Sequence, residues 1–262
     1  MPYTDFADEL FARSNKADPP QGVRVASASK AHITVTRVEI LRGGLAYPKG
    51  RYITVETPTL AILDERDAAV IDTAAEQLRS LLPPKGSVLV VGVGNRRITA
   101  DAIGPRTAQK VLMTANIAKE LPNVRPVHVV SPGVSGATGI PLQDLIASLV
   151  DTVQPAALLC IDSLISSEAD RLGRTIQFSN TGLCPTSSSS EKCITPARLG
   201  LPVIAAGIPT LMEAPPTLGN HLVVVPHALD QTISHGAALL SAAINRALQP
   251  SFSLAQLCWM AH

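Results

Sequence analysis

No apolar run in the 262-residue chain approaches the ~20 consecutive residues that a helix needs to cross a bilayer. The first residues also lack a basic start followed by an apolar core. Neither a membrane span nor a secretory leader is expected, and the expected location is the cytoplasm. Excess charge is missing too: Lys and Arg total 22 against 21 Asp and Glu, a net charge of +1. That balance gives no electrostatic case for direct contact with nucleic acid. Cysteine is scarce, 4 residues in all, as suits a reducing compartment. Cys160 sits inside an apolar run and reads as a small core hydrophobe. Cys184 and Cys193 flank a serine-rich segment at a spacing unlike zinc knuckles, so neither a disulfide nor a metal is expected between them. The 6 histidines are scattered; His227 and His235 fall too far apart for an i, i+4 metal pair and read as packing or surface residues. Internal repeats are absent, and Ser187–Ser190 is the one low-complexity run.

What the chain does have is alternation. Strands are expected near Val23–Ala28, His32–Ile40 and Arg51–Glu56, then an amphipathic helix over Asp64–Leu82 stopped by Pro83-Pro84. Thereafter come strand 87–93, helix 105–121, strand 125–130, helix 141–153 and strand 156–161. Strands follow near Thr175–Ser179, Val203–Gly207 and Leu222–Val225, and a helix over Ala228–Leu248 closes the pattern. This βαβ rhythm predicts an α/β fold with a mostly parallel central sheet and helices on both faces, three layers in all. The length suits a single domain over 22–262, preceded by an N-terminal arm, 1–21.

Two acidic residues stand at the ends of buried-type strands. Val88–Val91 run into Gly92 and Gly94, whose freedom permits a tight turn, and Asp101 follows before Pro105 opens a helix. Ala156–Ile161 are followed at once by Asp162. Open α/β sheets hold their ligands in the crevice at the carboxyl ends of the strands, so neighbouring strands would bring both carboxylates to one cleft. Such a pair resists double ionisation, and one member can keep a proton as acid while the other serves as base toward water. The same residues also fit the plainer role of helix N-caps, and on pattern alone both readings stand. Ser131–Ile140, with its glycines, should border the crevice, either admitting a substrate backbone or simply turning.

Several dispersed motifs carry a resemblance. Gly92-Val93-Gly94-Asn95 with Thr99-Ala100-Asp101-Ala102-Ile103-Gly104-Pro105, Pro132-Gly133-Val134, Thr138-Gly139-Ile140 and Ile161-Asp162-Ser163-Leu164 occur in that order. Arg174-Thr175-Ile176-Gln177, Thr181-Gly182 and Leu201 through Pro209-Thr210 follow, and Gly50–Glu56 lies upstream. Together they resemble the germination protease family of spore-forming bacteria, atypical aspartic endopeptidases whose fold is similar to the phosphorylase and hydrogenase-maturation-protease type. The resemblance implies Asp101 and Asp162 as the catalytic pair, no cofactor and no metal. It implies a cleft built with Gly94, Asn95, Thr99, Pro132, Gly133, Ser163, Thr181, Gly182, Pro209 and Thr210. It further implies small acid-soluble spore proteins as substrates, cut at a Thr-Glu-Phe-Ala-Ser-Glu-like motif, a location in the spore core, and a homo-oligomer, tetrameric in that family.

Thr4-Asp5-Phe6-Ala7-Asp8-Glu9 resembles the substrate motif itself. In the family such a segment marks self-processing of a precursor, which here points to the Asp5–Phe6 bond. A tethered copy of a substrate also competes for the cleft at high effective concentration. The plainer reading is a short amphipathic helix capped by Thr4 and containing Phe6, Leu10 and Phe11. The chain departs from the family where Thr186–Cys193 replace a glycine-rich loop, and where the segment between Glu213 and His221 is short. Two other readings follow: a metal-dependent maturation-type protease, which needs a third donor beside the aspartates, and a relative that binds peptides without cutting them.

Overall fold

A computed structural model describes residues 4–13, 19–43, 45, 47–64, 66–121, 123–184, 193–214 and 222–261. The serine run Ser187–Ser190 and His221 lie outside the described residues. In chain order, α1 (Ala7–Arg13) precedes β1 (Val23–Lys30), β2 (Ile33–Ile40) and β3 (Gly50–Glu56), and α2 (Ala68–Arg79) leads into β4 (Val88–Gly92). Next come α3 (Ile103–Ala108), β5 (Val127–Val130), the short α4 (Ser135–Thr138), α5 (Leu142–Val153) and β6 (Ala157–Ile165). The chain finishes with β7 (Thr175–Ser179), α6 (Pro196–Leu199), β8 (Val203–Glu213), β9 (Val223–Val224), α7 (Leu229–Leu248) and α8 (Leu254–Met260).

The strands form one sheet in the order β1-β2-β3-β7-β8-β6-β4-β5, with β9 paired to β8. The segment β5-β4-β6-β8 is parallel, and β7, β3, β2 and β1 extend it as antiparallel strands. Parallel strands must be clad on both faces, which explains why every residue of β4 is apolar or glycine and buried. Alternation then sorts side chains between faces. Val88, Val90, Leu159 and Ile161 join α2 and α7 in one core, whereas Leu89, Val91, Leu158 and Cys160 join α5 in a second. A third cluster, with Ala7, Val38, Ile40 and Tyr52, lies under α1 beside β2 and β3. The expected α/β architecture, with a parallel core and helices on both faces, is the one observed.

Three differences from the sequence expectation have physical causes. The helix expected over 105–121 ends at Ala108, because the side chain of buried Asn245 in α7 draws the following backbone away. Its Oδ1 accepts from the Leu112 N–H at 2.9 Å and its Nδ2 donates to the Lys110 carbonyl at 3.0 Å. Thr114 N–H then donates to the Val127 carbonyl on β5, so the segment covers the sheet edge instead of continuing the helix. Second, β6 runs on to Ile165 and β8 to Glu213, since the two strands pair with each other well past the point where β4 stops. Asp162 is therefore inside a strand and not just beyond one. Third, α8 was not expected; a capping box between Ser253 and Gln256 starts it, and Leu257 anchors it.

Cys184 and Cys193 form a disulfide, contrary to the expectation of no bond. The spacing gave no hint, but Leu183 and Ile194 exchange two backbone hydrogen bonds, of 2.9 and 2.8 Å, which holds the flanking cysteines side by side.

Replacing Asn245 with Ala leaves the half-buried Leu112 N–H and Lys110 carbonyl without this partner, so unfolding free energy should drop by about 1–3 kcal/mol in urea titration. An unchanged midpoint would mean that the turn after α3 has another support.

Candidate active site

The site begins where β4 leaves the sheet. Gly92 is the last β4 residue paired with β6, opposite Ile161, and one further backbone bond joins Val93 N–H to the Ile161 carbonyl. From Asp162 to Ile165, β6 is held by β8 on one side only. The opened edge faces a cleft of about 460 Å³ whose walls include Asp5, Gly94, Asp101, Ser135, Leu142, Asp162, Ser163 and Leu183. Among the described residues, no Lys or Arg lines it.

Asp101 closes a 3-10 turn, Thr99–Asp101, just after β4. Gly94, at φ +125°, allows that turn to fold back, since a Cβ there would collide with the Asp101 carbonyl oxygen. The Asn95 N–H donates to Asp101 Oδ2 at 2.7 Å, and Thr210 on β8 donates to the Ala100 carbonyl at 2.7 Å, latching the turn to the sheet. Gly104 lets α3 sit directly on the strand ends, against the Val93 and Ile161 carbonyls. Asp162 continues the row of Leu158 and Cys160 toward the α5 face, with Ser163 N–H donating to its Oδ1 at 2.8 Å. Neither aspartate caps a helix: α3 is preceded by Ala102 with no side-chain cap, and Asp162 is followed by strand.

The two carboxyl groups sense each other. Burial comes first, followed by the charges of Asp101 and Asp5, and the Asp162 carboxyl is pushed up to about 8 although the Ser163 N–H pulls the other way. Asp101 is also raised by burial, with the Asn95 N–H opposing the rise. A proton is thus retained on the strand carboxyl near neutrality, while the turn carboxyl has a backbone donor that favours its ionised form. Ser163 Oγ is buried with no hydrogen-bond partner among the described residues, leaving a hydroxyl at the cleft wall. Among the described residues no group of three or more His, Cys, Asp or Glu side chains is placed to hold a metal ion.

The N-terminal segment lies against this cleft. The Asp5 N–H donates to the Ile165 carbonyl at 2.9 Å, and its carboxylate accepts from the Ile165 N–H at 2.8 Å, so one residue satisfies both backbone groups at the end of the open β6 edge. The Asp5 carbonyl accepts from Gln177 Nε2 at 2.6 Å. Phe6 is fully buried, worth about 2–3 kcal/mol of anchoring, and lies 5.6 Å from the Arg171 guanidinium. Arg171 pairs with Asp8 and with Glu168, each at 2.9 Å, and lies 3.5 Å from Glu56. Burial alone would lower Arg171, but Asp8, Glu56 and Glu168 hold it above its ordinary value. Glu9 accepts from the hydroxyls of Ser166 and Ser167. Thr4 Oγ1 accepts from Phe6 N–H, and α1 begins at Ala7, so the expected short helix exists with Phe6 just before it.

Of the residues expected around the cleft, Gly94, Asp101, Asp162 and Ser163 line it together. Asn95, Thr99 and Thr210 stand behind it and shape the Asp101 turn. Pro132 and Gly133 lead into Val134, Ser135 and Gly136, which form one wall. Gly182, at φ +90°, passes close to the Ile194 carbonyl and so positions Leu183 and Cys184 on another wall. Thr181 instead bonds Ser179 and the Tyr52 phenol, and Pro209 pairs with Leu164 inside the β6–β8 ladder. Gln177 and Arg171 were not foreseen; the alternation of Thr175, Gln177 and Ser179 with Ile176 and Phe178 was the available signal for the first.

An α/β protein that gathers two interacting carboxyl groups in an open cleft at the ends of its parallel strands has the equipment of a hydrolase. A sequence model of the germination protease family matches residues 6–217. A germination protease of Clostridium perfringens strain 13 is 37% identical over 222 residues, covering 79% of this chain and 67% of that protein. One from Caldanaerobacter subterraneus subsp. tengcongensis is 35% identical over 266 residues, covering 96% and 82%. That of Priestia megaterium is 35% identical over 226 residues, covering 80% and 61%. Among solved structures, a NiFe hydrogenase maturation protease from Thermococcus kodakarensis KOD1 superposes with a TM-score of 0.40 at 13% identity, over 64% of this chain and 98% of that one. The chain belongs to the germination protease family, and its class is peptidase.

Because Asp162 is raised from 3.8 to about 8 in the folded protein, its contribution to stability is complete below about pH 4 and is lost as pH rises through about 8. Asp162→Asn removes that loss, so the variant's urea midpoint should gain on the wild type between pH 5 and pH 9. A constant difference across that range would show that the carboxyl is not raised.

Proposed function

We propose that the protein is an endopeptidase of spore germination that cleaves small acid-soluble spore proteins at Thr-Glu-Phe-Ala-Ser-Glu-like sites, using Asp101 and Asp162 as an acid/base pair. The observation that carries this reading is the meeting of the two carboxyl groups in one cleft, close enough for the charge of Asp101 to raise Asp162. Family membership supports the peptidase class and the setting of germination. Asp101, with its backbone donor, takes a proton from the attacking water. Asp162, carrying the retained proton, delivers it to the departing amine. The uneven environments of the two carboxyls favour this division of roles.

The same reading makes the Asp5–Phe6 bond a self-processing site, since Asp5 lines the cleft in a segment resembling the substrate motif. The spore core as location and a homo-oligomeric, tetrameric assembly belong to the reading through the likeness to the family. No cofactor enters it.

Incubation with a purified acid-soluble spore protein, followed by mass spectrometry of the fragments, tests the substrate. Asp101→Asn and Asp162→Asn should each reduce cleavage of a motif peptide by about 10²–10⁴-fold without unfolding the protein, and undiminished turnover in both would end the two-aspartate mechanism. The rate should also decline above about pH 8, as Asp162 loses its proton. N-terminal sequencing of stored protein reads the trimming, with Phe6 as the expected new first residue.

A further inference from the structure

We propose that Gln177 is a third catalytic residue, its side-chain amide donating to the carbonyl oxygen of the peptide bond under attack. This rests on the reading that Asp101 and Asp162 cut peptide bonds, and it adds a group which that reading does not contain.

The placement follows from strand register. Thr54 on β3 faces Gln177 on β7, Gln177 faces Gly207 on β8, and Gly207 faces Asp162 on β6. Residues directly opposite in neighbouring strands point to the same face, so Gln177 and Asp162 share one row and one side of the sheet. Ile176 and Phe178 confirm the alternation, since both belong to the core on the other face. Between the two functional side chains stands Gly207, where a Cβ would press on the Asp162 carbonyl and on Leu164. The Leu164 side chain covers that glycine, and the backbone of residue 5 meets the row at its Gln177 end.

Asp5 shows what the row holds. Two hydrogen bonds to Ile165 fix its main chain and side chain, and Phe6 is fully buried. Gln177 Nε2 then meets the Asp5 carbonyl at 2.6 Å. That oxygen belongs to the Asp5–Phe6 bond, the bond in the substrate-like segment. Gln177 is 6% exposed, and its Oε1 has no partner among the described residues. A buried amide left with an unsatisfied oxygen carries a desolvation cost that a merely structural residue would avoid. Holding a carbonyl whose charge rises during reaction gives that arrangement a use.

The chemistry balances without an outside reagent. Water adds to the carbonyl carbon as the ionised carboxylate takes its proton, and the carbonyl π electrons move onto oxygen, where the Gln177 N–H meets them. When the C–N bond breaks, those electrons return to form the new carboxyl group. The departing nitrogen takes the proton that the second carboxyl had held. A peptide supplied in trans would place the carbonyl preceding its cut at the same donor.

The experiment uses the full-length chain and a motif peptide in trans, with Gln177→Leu and Gln177→Asn, the second keeping an amide one methylene too short to reach. Both should lose about 10²–10³ in kcat, as for removal of one oxyanion donor, with KM within about threefold of wild type. If Gln177 only tethers the N-terminal segment, kcat on the free peptide stays level or rises as the cleft empties, and the proposal fails. A rise in KM with kcat intact also overturns it, reducing the contact to ground-state binding. Circular dichroism and melting check folding; should the Leu variant misfold, the polar Asn variant decides. Failure of the parent reading looks different: the wild type cuts nothing, or Asp162→Asn cuts as well as the wild type.

Discussion

The site depends on one mismatch in strand length. β6 continues to Ile165 while β4 leaves after Gly92, and only β8 supports the extra stretch. Backbone groups on the vacated edge need partners, because unpaired strand edges are costly when buried and adhesive when exposed. Three pieces of chain supply the cover: Val93 extends the ladder by one bond, the Thr99–Asp101 turn folds back over the strand ends, and Asp5 takes both backbone groups of Ile165. The cleft is what remains between them. The aspartates are thus set by main-chain hydrogen bonding, whereas the walls at residues 134–136 and 183–184 come from loops.

Two opposite electrostatic arrangements lie side by side. In the cleft, carboxyl groups meet without a lining cation among the described residues, and the conflict is relieved by retaining a proton on Asp162. A few residues away, Asp8, Glu56 and Glu168 gather around one guanidinium, Arg171, and there the carboxylates share a cation instead. Buried charges persist only when paired and hydrogen-bonded, so the contact with Arg171 fixes Asp8 and the N-terminal segment that carries it. The same short stretch, residues 5–9, contributes acids to both arrangements.

Much of the fold was legible because buried parallel strands and amphipathic helices write strong patterns. β4, β7, α5 and α7 fall within a residue or two of their expected limits. For the candidate pair, strand-end position left the helix-cap reading open, and the family-like motifs around Asp101 and Asp162 singled the two out. What escaped was decided at a distance. The shortened α3 depends on Asn245, far along the chain, and no local pattern announces it. Extension of β6 past Asp162 depends on β8, whose sequence arrives later. The disulfide likewise depends on the pairing of Leu183 with Ile194, a contact made across a loop. Gln177 stood in one of the family-like motifs without a role of its own, and only the folded chain brings Asp5 to it.

The parallel order of β4, β6 and β8 also has a bearing on synthesis. Asp101 leaves the ribosome well before Asp162, and the β8 strand that steadies both follows later still. Non-local strand pairing of this kind forms only once the distant segments exist and have met. The support that β8 gives to both acids is therefore added last, once residues 203–213 have been made and have paired with β6.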